Sequence, residues 1–140
     1  MQPDNKPIGY WVKQVDEVLT QGINNIHMAF GITRTDWQML HTIHEHGSIN
    51  SSKLTDILKP FADARALEKI TIKFRQQTLL HTGDEAVLSL SEQGRQLHIA
   101  CLERQQAFRK KVMNGITDQE YVAAISVLQK IVENGNVQSE

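Results

Sequence analysis

Residues 63–77 read DARALEKITIKFRQQ. Leu67, Ile70 and Phe74 recur at three- and four-residue intervals, which places them on one face of a helix. The opposite surface carries Arg65, Lys69, Thr71 and Lys73. At about 1.5 Å per residue such a helix is about 22 Å long, and the DNA major groove admits an element of its width. Lys59, Arg65, Lys69, Lys73 and Arg75 against Asp63 and Glu68 give residues 59–77 a net charge of +3, in a chain whose net charge is −1. A local basic excess on an otherwise acidic protein suits phosphate contact. Cationic amphipathic helices also occur as plain surface elements, so the neighbours of this one decide its role.

Immediately upstream, Pro60 closes the preceding segment, residues 61–62 make a tight connection, and Asp63 is a natural N-cap. Residues 48–58 are expected to form the helix before it, entered through Asn50 and Ser51 and buried through Leu54, Ile57 and Leu58. Two short helices joined by a turn, the second amphipathic and basic, make a helix-turn-helix. Downstream, Gly83-Asp84 is a turn signal between residues 79–81 and 86–90. A small antiparallel hairpin attached there is a wing.

Further out the pattern is helical on both sides. Residues 9–30 carry Val12, Val15, Val18, Leu19, Ile26 and Phe30 as a long apolar stripe, with Gly22 weakening its middle by up to about 1 kcal/mol. Residues 31–34 read as a linker, and Thr35 with Gln38 reads as a capping box opening a second helix, buried through Trp37, Leu40 and Ile43. Gly47 stands where a left-handed C-terminal cap is wanted. Ser91 caps a long helix reaching about residue 114, with Leu97, Cys101, Phe108 and Val112 as its apolar seam. Residues 117–120, TDQE, form another capping box, and Val122, Ile125, Leu128, Ile131 and Val132 give the last helix its apolar face, ending at Gly135. These terminal stripes exceed what a small winged core can cover, and a dimer would bury them.

The totals agree with a mostly α, single compact fold: 140 residues, 40% apolar, 22% charged and only three prolines. No apolar run approaches the eighteen or so residues of a membrane span, and the start of the chain is not a secretory leader. The single Cys101 forms no intramolecular disulfide, so the expected compartment is the reducing cytoplasm. There is no Gly-rich phosphate loop and no nucleophile motif, so an enzyme is not expected and no cofactor is implied.

The chain resembles the MarR-type winged helix-turn-helix regulators over nearly its whole length. The resemblance is carried by Gly31-Ile32-Thr33 leading into Asp36-Trp37-Gln38-Met39-Leu40, by Leu90-Ser91-Glu92-Gln93-Gly94-Arg95 after the wing, and by Gly115-Ile116-Thr117 with Glu120. It implies a homodimer, through residues 9–30 and 91–135, whose winged portions, residues 35–90, reach successive major grooves of a palindromic operator; residues 1–8 and 136–140 are tails. Arg65, Ala66, Glu68 and Lys69 fall where such proteins reach base edges, and Ser51, Ser52 and Lys53 where they touch phosphate; Lys73 and His81 complete the expected DNA-binding set. It further implies a transcription regulator, a repressor, released or retained by a signal that in such proteins is often a small phenolic or aromatic acid. Two departures stand out. The wing sequence HTGDEA has no Arg or Lys, leaving His81 as the nearest substitute for a minor-groove cation, and Thr78 replaces a glycine common after the recognition helix. A dimeric sensor or adaptor that has lost operator binding is therefore the rival reading.

Three other groups invite chemistry. His41, His44 and His46 with Glu45 form the strongest metal-like cluster; His41 and His44 share a helix face, as ligands of a zinc-responsive regulator would, although histidines near a helix C-terminus also serve the dipole. Cys101 fits either a redox sensor or a small core hydrophobe. Trp11, Trp37, His27 and Met28 are candidate walls of an effector cavity, or plain core.

Overall fold

The computed structural model describes residues 5–81, 83, 84 and 86–137. In order these form α1 (Ile8–Ala29), α2 (Arg34–His46), β1 (Ile49–Asn50), α3 (Ser51–Leu58), α4 (Ala64–Gln76), β2 (Val87–Leu88), α5 (Glu92–Val112) and α6 (Asp118–Asn136). Two compact units result, Met1–Phe108 and Arg109–Glu140. No helix among the described residues is long and apolar enough to cross a membrane. Of the expected tails, residues 1–8 and 136–140, residues 1–4 and 138–140 lie outside the described residues, while Ile8 opens α1 and Asn136 closes α6.

Local chemistry sets the helix ends. Asp63 caps α4 by accepting from the Ala66 amide at 2.8 Å, and Asn50 caps α3 by accepting from the Ser52 amide at 2.8 Å. The expected box at Thr35 is displaced by two residues. Thr33 is the N-cap of α2, its hydroxyl accepting from the Asp36 amide while the Asp36 carboxylate accepts from the Thr33 amide, both at 3.0 Å. Asp36 is buried, and a partner far along the chain rewards that choice of cap, as described below. The second box, Thr117 with Glu120, opens α6 as expected.

Helices α1 and α4 end in the same way. In α1 the Ile32 amide donates to His27 O and the Gly31 amide to Met28 O, with Gly31 at φ +70. In α4 the Leu79 amide donates to Phe74 O and the Thr78 amide to Arg75 O. This paired pattern needs a left-handed residue one place past the cap, normally glycine. Thr78 takes that place at φ +59.

The wing differs from the expected hairpin. β2 pairs antiparallel with β1, Ile49 opposite Leu88 and Asn50 opposite Val87. The two arms, residues 79–81 and 86–90, meet through a Leu80–Leu90 bridge and the His81 amide on Ser89 O at 2.8 Å. Ile49 and Asn50 thus serve the sheet, and α3 begins at Ser51 with Asn50 as its N-cap, one of the two caps expected, rather than at residue 48.

Two apolar clusters hold the first unit. The larger joins Met39, Leu40 and Ile43 of α2 to Leu54 and Leu58 of α3, to Leu67, Ile70 and Phe74 of α4, and to Ile49 and Leu88 of the sheet. The smaller packs Ile26 of α1 and Ile32 against Cys101 of α5, and Trp37 and Leu97 touch both. Two glycines permit close approach. A Cβ on Gly94 would lie 2.2 Å from the Leu79 carbonyl oxygen, and one on Gly22 would lie 2.0 Å from the Phe108 ring. Gly22 is therefore a seat for the Phe108 ring, and this packing offsets the glycine's low helix propensity in a helix that runs on unbroken.

Candidate nucleic-acid interface

With Leu67, Ile70 and Phe74 turned into the core, the outer surface of α4 is set. Arg65, Glu68 and Lys69 are exposed, and Ala66 is half-buried. Lys73 behaves differently from the other cations. Its ammonium lies 2.5 Å from a carboxylate oxygen of Asp36, whose side chain is only 2% exposed. Rather than standing with Arg65 and Lys69 on the outer surface, Lys73 ties α4 to the start of α2.

The start of α3 presents Ser52 and Lys53 to solvent and leaves Ser51 half-buried. The Ser51 amide donates to Ala86 O at 2.8 Å, so the wing's descending arm is fixed to this helix end. His81 is exposed, and Asp84 folds the turn by accepting from the Ala86 amide at 2.9 Å. Thr82 and Glu85 of the expected wing lie outside the described residues.

Of the other candidate groups, Trp37, His41 and His44 come together around His98. His41 Nδ1 and His98 Nε2 are 2.9 Å apart, His44 stacks on His98 with centroids 3.9 Å apart, and Trp37 stacks on both His41 and His98. His41 and His44 are thereby engaged with a third histidine, and among the described residues no group of three or more His, Cys, Asp or Glu side chains is arranged to hold a metal ion. Burial, with the fields of His44 and His41, pushes the His98 imidazole down to about 4. His27 is also lowered, by burial first and then by Arg34. It meets the Gln105 amide at 3.1 Å and stacks on Trp37, whereas Trp11 and Met28 are exposed, so the four candidate cavity residues do not come together. Cys101 is fully buried and its thiol is pushed up by that burial, the opposite of what a reactive thiolate needs.

Sequence reasoning missed His98 and Gln105. They lie with Gly94 and Cys101 on the buried line of α5, at intervals of four, three and four, but being polar they give no hydropathy signal.

Neither a family model nor a curated protein sequence matches the chain. Solved structures do. The YusO protein of Bacillus subtilis aligns with TM-score 0.73 at 17% identity, covering 90% of this chain and 92% of its own. The reduced form of MarR from Escherichia coli aligns with TM-score 0.67 at 17% identity, covering 90% and 93%. The chain has the MarR winged-helix fold. A MarR family protein of Mycobacterium tuberculosis, solved in complex with DNA, aligns with TM-score 0.69 at 17% identity over 91% of this chain and 98% of its own.

Proposed function

We propose that this protein is a DNA-binding transcription regulator, not an enzyme, that acts as a homodimeric repressor on a palindromic operator. The observation that carries the reading is the outer surface of α4. A helix capped by Asp63 and anchored by three buried apolar residues presents Arg65, Glu68 and Lys69 outward, one turn after a second helix whose start exposes Ser52 and Lys53. Arg and Lys reach guanine, Glu accepts from cytosine, and a helix N-terminus suits phosphate. The MarR fold adds the precedent of a relative solved with DNA.

Homodimerisation is supported separately in each unit. α1 leaves Trp11, Val15 and Val18 at 44%, 53% and 55% exposure, and α6 leaves Val122 and Val132 at 64% and 59%. Large apolar side chains exposed along one helix mark a surface that a partner covers. A repressor of this form reads half-sites about one helical turn, about 34 Å, apart. A small aromatic effector would act by favouring one spacing of the two winged portions over the other.

The sequence HTGDEA, without Arg or Lys, favours a second reading: a dimeric adaptor without operator binding. Selection of bound sequences from a random duplex pool, at near-physiological salt, separates the two. Enrichment of an inverted repeat with half-sites about one turn apart is the expected result. Folded, dimeric protein that enriches nothing would leave the adaptor reading.

A further inference from the structure

Ile72 stands on the same outer surface of α4 as Arg65 and Lys69, at 50% exposure. At about 100° per residue, Ile72 and Arg65 lie almost directly opposite the mean direction of Leu67, Ile70 and Phe74, with Glu68 and Lys69 to either side. The core gains nothing from this isoleucine, since it belongs to neither apolar cluster. It also lines a cleft of about 460 Å³ together with Ser51, the first residue of α3. Ile72 therefore faces the side on which α3 begins, where phosphate contact is expected.

Resting on the DNA-binding reading, we propose that Ile72 is a specificity-determining residue that packs against the C5-methyl group of a thymine in each half-site. The occupant follows from the surroundings. Arg65 and Lys69 outnumber Glu68 on the outer surface of α4 around Ile72, a cationic balance that suits a polyanion, and the one apolar group that the major-groove edge of a base pair offers is the thymine methyl. An aliphatic side chain between polar readers distinguishes a T·A pair by that methyl and pushes the polar edge of cytosine away.

The test uses the whole 140-residue chain. Wild type and Ile72→Ala are each put through duplex selection; the best wild-type site is then remade with uracil, which lacks the methyl, at each thymine in turn. Wild type should lose about fourfold in affinity at one thymine per half-site, the worth of burying one methyl group. Ile72→Ala should bind the thymine site more weakly than wild type, be indifferent to that uracil, and lose the preference for thymine at that position while keeping the rest of the site. Because Ile72 is half-exposed, the variant should unfold at the wild-type urea midpoint. Equal uracil losses in both proteins, or none in either, would overturn the proposal while leaving operator binding intact. Enrichment of no sequence by the wild type would overturn the DNA-binding reading, and this proposal with it.

Discussion

Thr78 holds a left-handed backbone at φ +59 because the end of α4 requires one, and a β-branched side chain is strained there. Its hydroxyl compensates in part by donating to Gln77 O at 2.6 Å. Thr78→Gly should therefore raise stability by about 1 kcal/mol, less the entropy that glycine adds to the unfolded chain. Urea unfolding measures it, and an unchanged midpoint would mean that the hydroxyl's bond offsets the strain. His98 carries a different kind of cost. It is buried, no described protein group reaches its Nδ1, and its folded value of about 4 lies below the 6.5 of an unperturbed imidazole. The unfolded chain thus takes up more protons in acid, so the contribution is fully present above about pH 6.5 and is lost as pH falls toward 4. His27 acts in the same direction. Between pH 7 and about pH 5 His98 alone should remove about 2 kcal/mol of unfolding free energy. His98→Phe should flatten that part of the pH profile, and an equally steep profile in the variant would place the proton uptake elsewhere.

Within α4 the cations divide between two tasks. Lys73→Ala removes the partner of a buried carboxylate and should cost about 1–3 kcal/mol in stability. Lys69→Ala and Arg65→Ala, on the exposed surface, should change stability by no more than about 0.5 kcal/mol yet weaken binding to a selected operator by about 1–3 kcal/mol each. Titrations of folded variants against that operator separate the tasks, and wild-type affinity in both Lys69→Ala and Arg65→Ala would mean that another part of α4 faces the bases. The span of α4 was legible because its cap, apolar interval and closing turn all lie within one short window. So were Gly47 at φ +74 and the Thr117–Glu120 box, each a local device. The start of α2 was not. Thr33 with Asp36 and Thr35 with Gln38 have the same spacing, and what distinguishes them is Lys73, 37 residues away. The pairing of β1 with β2 was illegible for a related reason, since two-residue strands carry no period and their partner is distant. On the candidate interface, spacing alone set Lys73 beside Lys69; only the fold shows that its charge is turned inward.

For the whole molecule, the decisive property is what covers α6. Among its described residues none is buried, although Tyr121, Ile125, Leu128 and Val132 recur at intervals of four, three and four. That interval is a helical seam, the pattern that packs one helix against others. If a second copy covers it, charge placed on the seam should split the dimer without unfolding the unit that carries it. The double variant Ile125→Glu, Val132→Glu alters residues at 37% and 59% exposure, so its own fold loses little, whereas burying two carboxylates in an apolar interface is prohibitive. Sedimentation at micromolar concentration should show wild type at twice the 15.9 kDa chain mass and the variant at that mass. Dimerisation and operator reading are then linked. On the proposed reading a monomer would present one α4 to DNA, and would lose the effective concentration by which the first bound half-site holds the second, a gain of about 10²–10⁴ in avidity. The variant should accordingly bind a single half-site as wild type does, but gain nothing from the second. A variant that remains dimeric would move the interface to the exposed stripe of α1, where Val15→Glu is the corresponding test. One that becomes monomeric yet still discriminates a full palindrome from a half-site would break the link between dimer and operator.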